Sequence, residues 1–244
     1  MPSRNCAASA LVASLEADTR LGAVGTQVEI FREDRPVSPN MRAYERWLNS
    51  LTTPDRLFTD RFVESPLCHP SVTLRRAALE AVGGWEDGDF PEDYQLWLKL
   101  LHAGWRLQAV EPVLFRWRDH DGRLTRTDPR YAAKAFLPLK ARFLAEGLRA
   151  RGRRVGLWGA GQVGLALSRL LREHDLPVEF LVEVNPRKIG QRIDGVKVIA
   201  PESLESPGAL HLIAAVGSPG AREEIRAFLR ERGWVEGPDF TCAA

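Results

Sequence analysis

Several things are scarce in this sequence of 244 residues. It has three cysteines, Cys6, Cys68 and Cys242, far apart and in no metal-ligand or redox spacing, which argues against a disulfide scaffold or structural zinc and leaves reduced thiols as the expectation. No stretch approaches the ~18 consecutive apolar residues of a membrane span, and Met1-Pro2-Ser3-Arg4-Asn5 lacks the apolar core of a secretory signal. A cytoplasmic location is expected, with peripheral membrane contact left open. An excess of one charge is also missing: 34 Lys+Arg against 32 Asp+Glu give a net +2, so the whole chain is not drawn onto nucleic acid and any polyanion site is local. Internal repeats and low-complexity segments are absent, which removes solenoids and linker-dominated proteins. What is present is globular in character, with 44% hydrophobic and 27% charged residues. At roughly 150 residues per domain, the length fits one to two domains.

The texture changes along the chain. From Ala7 to about Arg130 short strands mix with helices, and from about Arg153 strand and helix alternate at short, regular intervals. The expected class is therefore α/β in two domains, 1–130 and 153–244, joined by a helix over 131–152 whose helix formers run to Gly152. Arg149, Arg151, Arg153 and Arg154 at that boundary read as a solvated charge run and are assigned no site.

In the C-terminal half, Arg154-Val-Gly-Leu-Trp reads as a buried strand that runs into Gly159-Ala160-Gly161-Gln162-Val163-Gly164 and then an apolar-striped helix. In a strand–turn–helix of this kind the first glycine permits the bend, the second lets a phosphate approach the backbone, and the third lets helix and strand close. Glu183 follows nineteen positions after Gly164 on a second strand, close to the ~20 expected of an acid that binds a ribose hydroxyl. Further strands at Gly195–Ile199 and Leu210–Gly217, a short helix from Pro201 and a helix over Arg222–Arg230 complete a parallel doubly wound pattern. Two readings of the glycines stay open: a nucleotide or NAD(P) site at Gly159, Gly161, Gly164 and Glu183, or close packing alone. No proton-relay constellation accompanies the fingerprint, so an NAD(P)-dependent oxidoreductase ranks last among the functions considered.

The N-terminal half offers an acidic loop, Gly83-Gly84-Trp85-Glu86-Asp87-Gly88-Asp89, feeding a helix from Pro91. Glu92 and Asp93 in its first turn suit the positive end of the helix dipole, which is one explanation of their presence. At ~100° per residue, however, Asp93 shares the inward stripe of Trp97 and Leu100. A partly desolvated carboxylate there is also suited to taking a proton from a hydroxyl nucleophile.

Two resemblances bear on these segments. The runs Ser65-Pro-Leu-Cys-His-Pro-Ser-Val-Thr-Leu-Arg-Arg76, Val82-Gly-Gly-Trp85, Pro91-Glu-Asp-Tyr-Gln-Leu-Trp97 and Glu111-Pro-Val-Leu-Phe-Arg-Trp-Arg-Asp-His120, in that order, resemble the later half of a family 2 glycosyltransferase of GT-A fold. By that resemblance Asp93 corresponds to the catalytic base of a Glu-Asp motif with Glu92 beside it. His120 corresponds to a histidine that helps hold Mn²⁺ or Mg²⁺, Arg118 is a weaker phosphate-contact candidate, and His69 is architectural. The implied partners are a nucleotide-sugar donor and a glycan or glycolipid acceptor, and the implied reaction inverts the anomeric carbon. The stretch from Glu183 to Glu202 resembles the small Rossmann-like domains found beside sugar-modifying enzymes, whose ligand is often a nucleotide or nucleotide sugar.

The family's donor half, which ends in an Asp-x-Asp metal motif, would precede a segment like Pro2–Asn5, where this chain starts. Asp87-Gly88-Asp89 falls in the acceptor-side loop and does not take that role. The expectation is weak donor binding by this chain alone, with a misassigned start codon preferred over a truncated gene or a separate polypeptide. An incomplete sheet should also leave an open strand edge, so self-association is expected. Two functional readings lead: sugar transfer to a deprotonated acceptor hydroxyl, and a nucleotide-binding regulatory protein with an inert transferase remnant.

Overall fold

The computed structural model describes residues 4–244, with side chains from residue 7 onward, so the thiol of Cys6 lies outside the described residues. It is an α/β structure that divides into two compact units, residues 1–61 with 65–136, and residues 62–64 with 137–244.

The first unit opens with helix α1 (Arg4–Ala17) and strand β1 (Leu21–Phe31). Helices α2 (Pro39–Asn49) and α3 (Pro54–Asp60) follow, then strand β2 (Thr73–Leu74), helix α4 (Arg76–Ala81), helix α5 (Glu92–His102), strand β3 (Arg106–Arg118) and helix α6 (Leu124–Thr127). Both α2 and α3 start with a hydroxyl cap followed by proline, Ser38-Pro39 and Thr53-Pro54. The sheet order is β2-β1-β3, with β1 antiparallel to β2 and parallel to β3, in register at Val24↔Gln108 and Ile30↔Trp117. A parallel pair needs a crossover, and the chain from α2 to α5 supplies it. Helix α5 packs its apolar face, Leu96, Trp97 and Leu100, with Ala23, Leu57 and Leu107 in the central core.

Beyond its two-residue pairing with β2, the outer edge of β1 is satisfied by side chains. Asn49 accepts from Val28 N at 2.8 Å and donates to Val28 O at 2.8 Å, so its amide imitates one rung of a ladder. Glu45 accepts from Ile30 N at 2.5 Å, Arg42 donates to Ile30 O at 2.9 Å, and Ser71 Oγ accepts from Thr26 N at 3.3 Å. The open edge expected from the sequence is thus closed on this side by α2. On its other side β1 pairs with β3, whose outer edge has no strand partner among the described residues.

Helix α7 (Ala133–Ala150) covers the segment expected to connect the domains, and from Leu137 it belongs to the second unit, where Leu139, Ala141, Leu144, Ala145 and Leu148 are buried. There follow β4 (Arg154–Trp158), α8 (Gln162–Glu173), β5 (Val178–Val182), β6 (Arg192–Ile193), β7 (Val196–Ile199), β8 (Leu210–Ala214), α9 (Ala221–Glu231) and β9 (Phe240–Cys242). The sheet order is β6-β7-β5-β4-β8-β9, and all pairings are parallel except β6 with β7. That hairpin turns at Asp194-Gly195, both with positive φ, +53° and +82°. The short helix expected from Pro201 is a single 3-10 turn, Pro201–Ser203.

Two details lock the second unit. Lys140 Nζ on α7 is buried and donates to Val63 O and Ala243 O, each at 2.9 Å, and burial pulls its pKa down to about 8, with Glu64 opposing and Arg222 adding to the shift. Arg226 of α9 is also buried and forks onto Glu236. Cys68 and Cys242 are buried and unbridged.

Candidate functional site

In the second unit the chain proceeds from β4 through β5 to β7 on one side, then returns to β8 on the other side of β4. Ligands in open parallel sheets bind outside the carboxyl ends of the strands at such a reversal. Here a cavity of about 930 Å³ opens at that place, lined by the turn after β4 and by the segments following β5, β7 and β8. Its size matches small-molecule and cofactor sites, roughly 300–1,000 Å³.

The three fingerprint glycines have different roles. Gly159 has φ +126°, and a Cβ there would stand 2.8 Å from Ala215 O. A Cβ on Gly164 would stand 1.9 Å from Gly159 O, so Gly164 serves the closure of α8 on the turn and does not line the cavity. Gly161 caps α8 with φ −92°, and a Cβ there would meet nothing within 4 Å. Packing thus accounts for Gly159 and Gly164 and leaves Gly161 facing open space at a helix start, where the first amide groups have no intrahelical acceptor.

Glu183 lies one residue past the end of β5 and lines the cavity. Its Oε1 accepts from Val184 N at 2.9 Å and Asn185 N at 3.1 Å, and Lys188 Nζ stands 3.4 Å from its Oε2. The same Nζ donates to Ala160 O at 2.9 Å, so Lys188 joins the glycine turn to the acid. Sequence reasoning missed Lys188; its place five residues after Glu183, in the loop that closes over the turn, was the available signal. The apolar part of the cavity includes Trp158 and Phe228, which meet edge-on at 5.1 Å, and the exposed Val163 and Val184. Its charged lining residues are Glu183, Glu202 and Glu224.

In the first unit the head of α5 carries Glu92 and Asp93, with Pro91 at the cap position. Both carboxylates are half-buried, and Trp97 and Leu100 on the helix face of Asp93 are fully buried. The Tyr131 hydroxyl donates to Glu92, lying 2.8 and 2.7 Å from its two oxygens, and burial together with Glu92 and Asp93 pushes the phenol pKa up. Asp93 Oδ1 accepts from Tyr94 N at 2.7 Å. The buried Cys68 thiol is pushed up to about 12, chiefly by burial, with the charge of Asp93 contributing and that of Arg123 opposing. Asp93 is therefore in electrostatic reach of both Cys68 and Tyr131, and the thiol is kept in its unreactive protonated form.

His120 is exposed and flanked by carboxylates already engaged by arginines. Asp119 is buried and accepts from Arg32, Arg123 and Arg126, while Asp121 accepts from Arg32, Arg35 and Arg126. Burial opposes the ionisation of Asp119, but these arginines hold its pKa below the usual carboxylate range. Among the described residues no group of three or more His, Cys, Asp or Glu side chains is placed to hold a metal ion. The carboxylates on either side of His120 are thus committed to arginines and not to a Mn²⁺ or Mg²⁺ ion. Arg118 is exposed, 3.7 Å from Glu33. His69 is exposed and stacks on Trp85, and Asp87 is almost fully solvated.

Comparison with known proteins gives no match to any family model, curated protein or solved structure. Among the described residues no helix is long and apolar enough to cross a membrane.

Proposed function

We propose that the chain serves sugar transfer from a nucleotide-activated donor to a hydroxyl of a glycan or glycolipid acceptor, and that its second unit binds a nucleotide-type ligand. In the transfer step Asp93 takes the acceptor hydroxyl proton, the oxygen bonds to the anomeric carbon, and the nucleoside diphosphate leaves with the electron pair of the broken bond. The observation that carries this reading is the division of labour at the head of α5. Glu92 has both oxygens on the Tyr131 hydroxyl, which suits a positioning residue, whereas half-buried Asp93 lies on the helix face that also carries the buried Trp97 and Leu100.

For the second unit, the support is the cavity at the sheet reversal with Gly161 open at its floor. In the proposed arrangement a phosphate meets the first amides of α8, and Lys188, held 2.9 Å from Ala160 O of the glycine turn, supplies a cation beside it. The base lies against Val163 and Val184. All of the cavity's lining residues belong to this one unit, and this favours a second reading in which it senses a nucleotide and the first unit is inert.

Calorimetric titration with UDP, UDP-glucose and NAD tests the binding proposal. At least one ligand is expected to bind to the wild type and to lose at least about tenfold in affinity with Gly161→Asp, which sets a carboxylate against the phosphate. Unchanged binding in that variant moves the ligand elsewhere. Transfer is tested by nucleotide release from UDP-sugars in the presence of a glycan mixture, with slow turnover in the wild type, in keeping with weak donor binding by this chain alone, and none in Asp93→Asn. Binding without any turnover selects the regulatory reading.

A further inference from the structure

Trp85 is exposed to 41% and yet fixed from both sides. Before it, Gly83 and Gly84 take φ +79° and +74°, and their amides close onto Glu80 O and Leu79 O at 3.1 and 2.9 Å at the end of α4. After it, Glu86 accepts from Gln95 Nε2 at 2.5 Å and from Lys99 Nζ at 2.7 Å, and Lys99 Nζ also reaches Gly84 O at 3.4 Å. Gln95 is itself buried. Two polar side chains of α5 are thus committed to the residues on either side of one solvent-facing indole. Turning the end of α4 needs the glycines; it does not need a tryptophan.

The indole lies 4.8 Å from the imidazole of His69, tilted by 30°, and both rings are exposed. Trp97 stands beneath them, edge-on at 6.2 Å to each ring, fully buried and with its Nε1 lacking a hydrogen-bond partner. Glu86, Asp87 and Asp89 are exposed on the same loop. A rigid aromatic face costs little conformational entropy on binding, and it suits the apolar C–H face of a sugar ring while nearby carboxylates accept from its hydroxyls. The carboxylates also disfavour a phosphorylated or otherwise anionic ligand.

We infer that Trp85 and His69 form a binding platform for a pyranose ring of a neutral glycan, with the exposed Asp87 and Asp89 of the following loop to accept from its hydroxyls. This rests on the sugar-transfer reading and supplies its acceptor subsite. Asp93 precedes Trp97 by four residues on α5, a spacing of ~6 Å on one helix face, and Trp97 in turn stands 6.2 Å from each ring of the platform.

The test uses the full chain, titrated calorimetrically with maltohexaose, cellohexaose and chitohexaose in the absence of nucleotide. At least one is expected to bind in the millimolar range, with affinity falling about tenfold in Trp85→Ala, less in His69→Ala, and little in Trp85→Phe. No binding by any of the three overturns the platform, as does binding that Trp85→Ala leaves unchanged, or a Trp85→Ala effect confined to self-association. Thermal melting of Trp85→Ala checks that the exposed position leaves folding intact. Loss of transfer in Asp93→Asn without any effect of Trp85→Ala on acceptor KM rejects the platform alone. Trp85-dependent glycan binding with unaltered transfer in Asp93→Asn rejects the base alone.

Discussion

Gly161 and Gly164 stand three residues apart and place opposite demands on the fold. A methyl group on Gly164 would collide with a backbone carbonyl, so Gly164→Ala is expected to destabilise the second unit by about 3 kcal/mol in urea melts. Gly161→Ala, with open space and a negative φ, should change stability by no more than about 0.5 kcal/mol while weakening nucleotide binding. Lys140 predicts a pH dependence. Its folded pKa is about 8 against an ordinary 10.5, so between those values the unfolded chain binds the extra proton and stability rises with pH. The gain is up to about 3 kcal/mol, and it should show as a wild-type slope between pH 8 and 10 that Lys140→Met lacks. The glycines were legible in sequence because strand, turn and helix start are consecutive. Lys140 was not, because its acceptors lie 77 and 103 positions away, and no local pattern marks a lysine for burial.

At the scale of elements, α2 does the work of a missing strand. Asn49, Glu45 and Arg42 all reach the β1 edge, at Val28 and Ile30. Asn49→Ala leaves the amide and carbonyl of buried Val28 without those partners and should cost about 2–4 kcal/mol, read from denaturant midpoints. It should also increase self-association in light scattering. From sequence this stretch was legible only as short strands mixed with helices, because three side chains standing in for a ladder depend on how helix and sheet pack. The segment after α6 behaves similarly. Tyr131 is distant in sequence from Glu92 and yet fixes it, and Tyr131→Phe should cost about 1–2 kcal/mol in the first unit, measured the same way. The Asp93 face was readable from the 3.6-residue period, whereas the arginines around Asp119 and Asp121 were not, since they come from the segment after β1, the segment after β3 and α6.

At the scale of the whole molecule, composition and periodicity gave two α/β bodies, and the structure adds that the division is not a single cut. Residues 62–64 stand within the sequence of the first unit and belong to the second. A fragment spanning 137–244 therefore lacks the Val63 carbonyl, and Lys140 keeps one of its two acceptors. Such a fragment should melt below the second unit of the intact chain, with Lys140→Met narrowing the gap in calorimetry.

The same lysine sets an order on folding during synthesis. Its two carbonyl acceptors leave the ribosome far apart in time, Val63 before most of the first unit has finished and Ala243 only after β9 has begun to form. Residues 62–64 emerge well before the elements of the second unit they belong with, so the nascent chain carries this short stretch without its final partners while the rest of the first unit is made.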